Sequence, residues 1–183
     1  MEKKDLEQLD SLISQVVKGC GLTLYHLEYK QSRPPLLRVF ILNEKTNTAT
    51  IEECEIVDHA LTPFIDNLEW ITQQLVLEIS SPGIYRELLR PSHFQLALNN
   101  FIKLKLNVTL EDKYPELPNK FKKNRHLRGK LLAVDDERVT LDLGISNNKN
   151  AGDGTSSIEN SIITIAFKEI IKANVDPDVK WQY

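Results

Sequence analysis

Apolar residues recur with two different periods along this chain, and the period separates helix from strand. Leu6, Leu9, Ile13, Val16 and Val17 repeat at helical spacing. Gly19 and Gly21 stop that helix, glycine being the residue that accepts a left-handed cap. Leu22 to Lys30, LTLYHLEYK, is rich in strand formers, and Ser32-Arg33-Pro34-Pro35 turns the chain. Leu36 to Leu42, LLRVFIL, reads as a second strand, antiparallel to the first because the connection is short. Thr50-Ile51-Glu52-Glu53 is a capping box, with a hydroxyl at the N-cap and a carboxylate three residues on. The helix it opens places Cys54, Val57, Leu61 and Phe64 on one face, and Pro63 is expected to end or bend it. Leu75 to Ser80, LVLEIS, is a third strand. This order packs most simply as a three-stranded sheet with both helices on one face.

After Arg90 the pattern changes. Pro91 to Asn99 reads as a short helix or helical turn. Phe101 to Val108 alternates, with Ile102, Leu104, Leu106 and Val108 inward and Lys103, Lys105 and Asn107 outward, the pattern of a half-buried strand. Further strands are expected at Leu127 to Val134, Arg138 to Leu143, Ser161 to Phe167 and Ile170 to Val175, with Asp135-Asp136 as a tight hairpin turn. Short strands without a long helix predict a small barrel. Two loops interrupt it: Glu111 to Asn124, with Pro115 and Pro118, and the Asn-, Gly- and Ser-rich segment Ser146 to Ser161, read as a flexible hairpin tip.

The chain has 183 residues, enough for one large domain or two small ones, and the change of pattern favours residues 1–90 and 91–183. The net charge of −3 carries no global argument for nucleic acid, but the halves differ. Residues 1–90 hold 9 basic and 14 acidic side chains; residues 91–183 hold 14 and 12. Cys20 and Cys54 form no CxxC pair and read as reduced thiols. His26, His59, His93 and His126 have no zinc spacing, and no phosphate-binding or nucleophile motif is present. No metal, cofactor or catalytic residue is expected. The charged start lacks an apolar signal region and no apolar run is long enough to span a bilayer, so a cytoplasmic monomer without membrane contact is expected.

The most specific stretch is Leu77 to Phe94, LEISSPGIYRELLRPSHF, in which a strand runs into a Pro82-Gly83 turn and Arg86 follows three residues later. This stretch resembles the junction motif of the ribosome maturation factor RimP family. The resemblance covers nearly the whole chain: GLTLYHLEY, LLRVFIL with its arginine in an apolar run, IEECEIVDHAL, Arg128-Gly129-Lys130-Leu131 and FKEIIKANVDP all have counterparts in that family's pattern. Tyr85 and Glu87 depart from it, where the family usually has Asp and Pro. The resemblance implies an α+β two-domain fold, an N-terminal α/β domain followed by a C-terminal SH3-like (Sm-like) barrel. It also implies a non-catalytic role in maturation of the small (30S) ribosomal subunit. The partner would be a free or immature subunit, met through rRNA or a ribosomal protein near the decoding region, and no DNA is expected.

Three groups of residues are candidates for that contact. Lys120, Lys122, Lys123, Arg125, Arg128 and Lys130 form a basic cluster around Phe121 and His126. Such residues attract phosphates without regard to sequence, and an interleaved aromatic either stacks on a base or packs against the barrel. The bland alternative is a solvated basic loop. Ser80, Ser81, Pro82, Gly83 and Arg86 form the junction motif, in which Arg86 is read either as a hydrogen-bonding fork that orients the domains or as a ribosome contact. The third group, Glu52, Glu53, Glu55, Asp58, Asp66 and Glu69, makes an acidic face that either meets basic proteins or is ordinary helix surface. Trp70 and Trp181 read as packing residues. The rival function is a general single-stranded RNA-binding module not dedicated to the ribosome.

Overall fold

A computed structural model describes residues 3–67, 75–144 and 162–177, with only the backbone for residues 3–6. Glu69, Trp70, Trp181 and the Ser146 to Ser161 segment lie outside the described residues. The chain divides into two compact units, Met1–Gly83 and Ile84–Tyr183. The segment that carries Arg86 therefore belongs to the second unit.

In the first unit, helix α1 (Lys3–Gly19) is followed by β1 (Thr23–Lys30), β2 (Leu36–Leu42), α2 (Ile51–Ile65) and β3 (Val76–Ser80). The α1 helix ends in a Schellman motif: the N–H of Gly21 donates to the Lys18 carbonyl at 2.9 Å and that of Leu22 to the Val17 carbonyl at 3.2 Å. Gly21 has φ +77°, which explains the glycine. The sheet order is β1-β2-β3, with β1 and β2 antiparallel and β2 and β3 parallel. Leu37, Val39 and Ile41 of β2 turn inward and share one core with Leu9, Ile13 and Val17 of α1 and Val57, Leu61 and Ile65 of α2. The outward residue between them, Arg38, donates from Nε to Glu78 at 2.7 Å and from a terminal nitrogen to Glu28 at 3.1 Å. Two carboxylates thus account for an arginine inside an apolar strand.

The predicted capping box is present: Thr50 Oγ1 accepts from the Glu53 N–H at 3.2 Å, and the Glu53 carboxylate accepts from the Thr50 N–H at 2.8 Å. One expectation for this helix fails. Phe64 is about half exposed and Ile65 takes its place in the core. Steps of four residues, 57 to 61 to 65, set the buried line here, and the step of three to Phe64 falls off it. Pro63 lies inside the helix, which runs on to Ile65.

The second unit contains α3 (Pro91–Gln95), β4 (Phe101–Leu106), α4 (Asn119–Lys122), β5 (His126–Val134), β6 (Arg138–Asp142), β7 (Ile162–Ala166), a 3-10 turn (Phe167–Glu169) and β8 (Ile170–Val175). All pairings in its sheet are antiparallel, in the order β7-β6-β5-β4-β8. Among the described residues β7 and β8 share no ladder, so the sheet is open by hydrogen bonding. Ile102, Leu104 and Leu106 point inward as their alternation requires, but Val108 lies beyond the strand and is exposed. The Asp135 carboxylate accepts from the N–H groups of Glu137 and Arg138, both at 2.8 Å, which fixes the β5–β6 turn. No described helix is long and apolar enough to cross a membrane.

Candidate nucleic-acid interface

The antiparallel register of three neighbouring strands gathers basic side chains on the outer face of the second sheet. Lys105 of β4 pairs with His126 of β5 on one side and Lys172 of β8 on the other. Two residues along, Lys103 pairs with Arg128 and Asn174. Phe101 pairs with Lys130. Period two places all of these on the face opposite the buried Ile102, Leu104, Leu127 and Leu131. The rows border an open groove of about 380 Å³. Lys103, Lys105 and Lys172 were not singled out from the sequence. Their signal was the outward lysines of the FIKLKL alternation, but only strand register shows which basic residues stand beside them.

Arg128 is committed within the protein. Its Nε donates to Asp176 Oδ2 at 2.6 Å, and its guanidinium lies 4.3 Å from the centre of the Phe101 ring. Lys103 Nζ reaches the other oxygen of Asp176 at 2.9 Å. Burial by itself would raise the Asp176 carboxyl, and it is the largest single influence. The hydrogen bonds and charges of Lys103 and Arg128 together outweigh it, so the group sits below its ordinary value.

The other members of the predicted cluster fall into a separate group. Lys120, Lys122 and Lys123 lie on or beside α4, inside the segment read as a loop. That segment is anchored: Leu117 is buried, and the Tyr114 hydroxyl donates to the Thr164 carbonyl at 3.0 Å and accepts from its N–H at 2.8 Å. Phe121 packs against the second core, with Lys120 Nζ 4.7 Å from its ring centre. Lys122 donates to the Pro115 carbonyl at 2.9 Å, and Lys123 lies 3.7 Å from Glu111. Arg125 is exposed just before β5, and Lys130 is half-buried. The six residues thus divide between the α4 segment and the strand face, with Arg125 between them in sequence.

At the junction motif, Gly83 has φ +78°, and its N–H donates to Ser81 Oγ at 3.2 Å. Ser81 Oγ also lies 3.3 Å from Thr48 Oγ1, and Ser80 pairs with Phe40 at the end of β3. Arg86 is buried, and its carbonyl accepts from the Val175 N–H at 3.0 Å. Leu88 donates to the Ala173 carbonyl at 2.9 Å, so Arg86 to Leu88 runs along β8 as a short added strand. Tyr85 is exposed and its carbonyl accepts from Asn174, while Glu87 lies 3.7 Å from Lys172. Both departures from the family pattern therefore lie in or beside this added strand and meet residues of β8.

On α2, Glu52, Glu55 and Asp66 are exposed and Asp58 is half-buried. Glu53 is turned back into its own cap and also accepts from Asn43 at 2.6 Å. Burial, with Glu53 nearby, pushes the Cys54 thiol up. Among the described residues no three His, Cys, Asp or Glu side chains converge as a metal site.

Comparison with known proteins places this geometry in context. Residues 12–85 match the RimP N-terminal domain family. The chain is 26% identical to the ribosome maturation factor RimP of Lawsonia intracellularis, over 93% of this chain and 86% of that protein.

Proposed function

With the chain a member of the RimP family, we propose that it is a maturation factor for the small (30S) ribosomal subunit, acting in the cytoplasm as a non-catalytic assembly chaperone. Similarity to a named ribosome maturation factor along nearly the whole chain carries this reading. The basic strand face and the α4 lysines support contact with rRNA, because cations on an ordered surface attract phosphates regardless of base sequence. The acidic first half supports an encounter with a basic ribosomal protein. The sheet order, in which the last strand returns to pair with the first, supports an SH3-like second domain. In this reading Ser80, Ser81, Pro82, Gly83 and Arg86 form the link between two working domains.

Sedimentation of cell extract at subunit-preserving and at low magnesium tests the proposal. Co-migration with free small subunits, and not with large subunits or whole ribosomes, is the expected result. A protein that stays at the top of both gradients while binding RNA in vitro would sink it. That outcome would favour the general single-stranded RNA-binding module, which the basic outer face of the second sheet also supports.

A further inference from the structure

We infer that Lys105 and Lys172, with His126 beside them, form a receptor for a phosphate group of an RNA backbone, separate from the lysines of the α4 segment. The inference deepens the rRNA-contacting reading above and rests on it. It starts from an arrangement that costs stability. Lys105 and Lys172 are direct partners across the β4–β8 ladder, and like charges placed opposite each other on one face repel. The next row repeats the conflict with Lys103 and Arg128, but there Asp176 stands between them and binds both. Lys105 has no carboxylate partner among the described residues, and Lys172 has Glu87 only at 3.7 Å, with both side chains about half exposed. One row thus carries its own anion; its neighbour, of the same design, is open to solvent.

A phosphate would do in the open row what the Asp176 carboxylate does in the closed one. It is an oxyanion of similar reach, and strand spacing of about 4.8 Å lets two lysines from adjacent strands approach it together. The groove along the two rows is shallow and open, which suits a backbone lying across the strands better than an enclosed small molecule. The register also shifts between Lys105 and Leu106, so a bulge lies next to the pair. Bulges re-aim neighbouring side chains, and they are over-represented next to functional sites. A like-charge pairing offset only by one exposed contact, Glu87 at 3.7 Å from Lys172, is a local conflict of the kind that proteins carry at functional sites.

The test uses the full chain and a labelled single-stranded 12-nucleotide polyuridylate, followed by fluorescence anisotropy over a salt series. Replacing Lys105→Ala and Lys172→Ala together should weaken binding about tenfold near physiological salt. It should also lower the slope of log affinity against log salt by about 0.7, the share of the one phosphate that is no longer neutralised. The thermal midpoint should stay the same or rise, because a like-charge pair is removed. Wild-type affinity and slope in the double variant would overturn the inference. If that variant is destabilised, Lys105→Gln alone decides by the same measurements, with half the change in slope expected. Sedimentation with small subunits separates this result from the parent reading. A receptor that holds in the RNA assay while the wild type never co-migrates removes the maturation role alone. Co-migration with an unchanged RNA slope in the variant removes the receptor alone.

Discussion

Asp176 shows what a single residue decides here. Its carboxylate holds Lys103 and Arg128 together on a face where they would otherwise repel, and it is nearly buried. From sequence, Arg128 is one more basic residue near other basic residues; its partner lies 48 positions away. Asp176→Asn should cost about 1–2 kcal/mol at pH 7, the low end for charged hydrogen bonds because Lys103 and Arg128 are partly solvated. The sign of the pH dependence follows from the depressed carboxyl. Its contribution is complete above the ordinary aspartate value of about 3.9 and is lost as the pH falls through the lower folded value. Urea denaturation of the two proteins should therefore differ at neutral pH and converge in acid. A gap that stayed constant down to pH 2 would remove the carboxylate from the account.

At the scale of elements, local rules located most helices and strands and misplaced some of their edges. The capping box named the start of α2 to the residue, because a hydroxyl and a carboxylate three positions apart satisfy backbone donors within one turn. In the same helix the spacing does not choose between Phe64 and Ile65 for the buried line, since either fits an apolar face until a sheet is packed against it. The short α4 helix was invisible inside a proline-bearing loop: its anchors, Tyr114 and Leu117, bind a strand and a core that come from elsewhere in the chain. Gly129 in β5 has a tertiary reason too. A Cβ there would stand 2.8 Å from the Asp142 carbonyl oxygen of the facing strand. Gly129→Ala should lower stability by roughly 1–3 kcal/mol through forced movement of β6. A chemical denaturation midpoint equal to wild type would show that the ladder yields freely.

Across the whole molecule, charge is distributed unevenly: the first 90 residues carry a net −5 and the remainder +2. RNA contact through the second unit would then come from two places, the strand face and the α4 segment, and salt should weaken it steeply. The triple variant Lys120→Ala, Lys122→Ala, Lys123→Ala should lower the salt slope for single-stranded RNA by about 2, at roughly 0.7 per phosphate neutralised. Its circular dichroism should match wild type, since none of the three ammonium groups is buried. An unchanged slope would confine phosphate binding to the strand face and leave the α4 lysines as solvated charge.

The sequence alone determined the alternation of periods, the cap, the turn glycines and the family resemblance, because each of these is written within a few adjacent residues or in their order along the chain. Tertiary structure alone decided which charges meet. Lys103, Lys105, Lys172 and Asp176 become neighbours of Arg128 only through the registers of β4, β5 and β8. A shift of one residue in either ladder would turn those side chains to the other face and dissolve the candidate site. Side-chain chemistry is local, but the field that an anion meets is the sum over strands that the chain brings together from far apart.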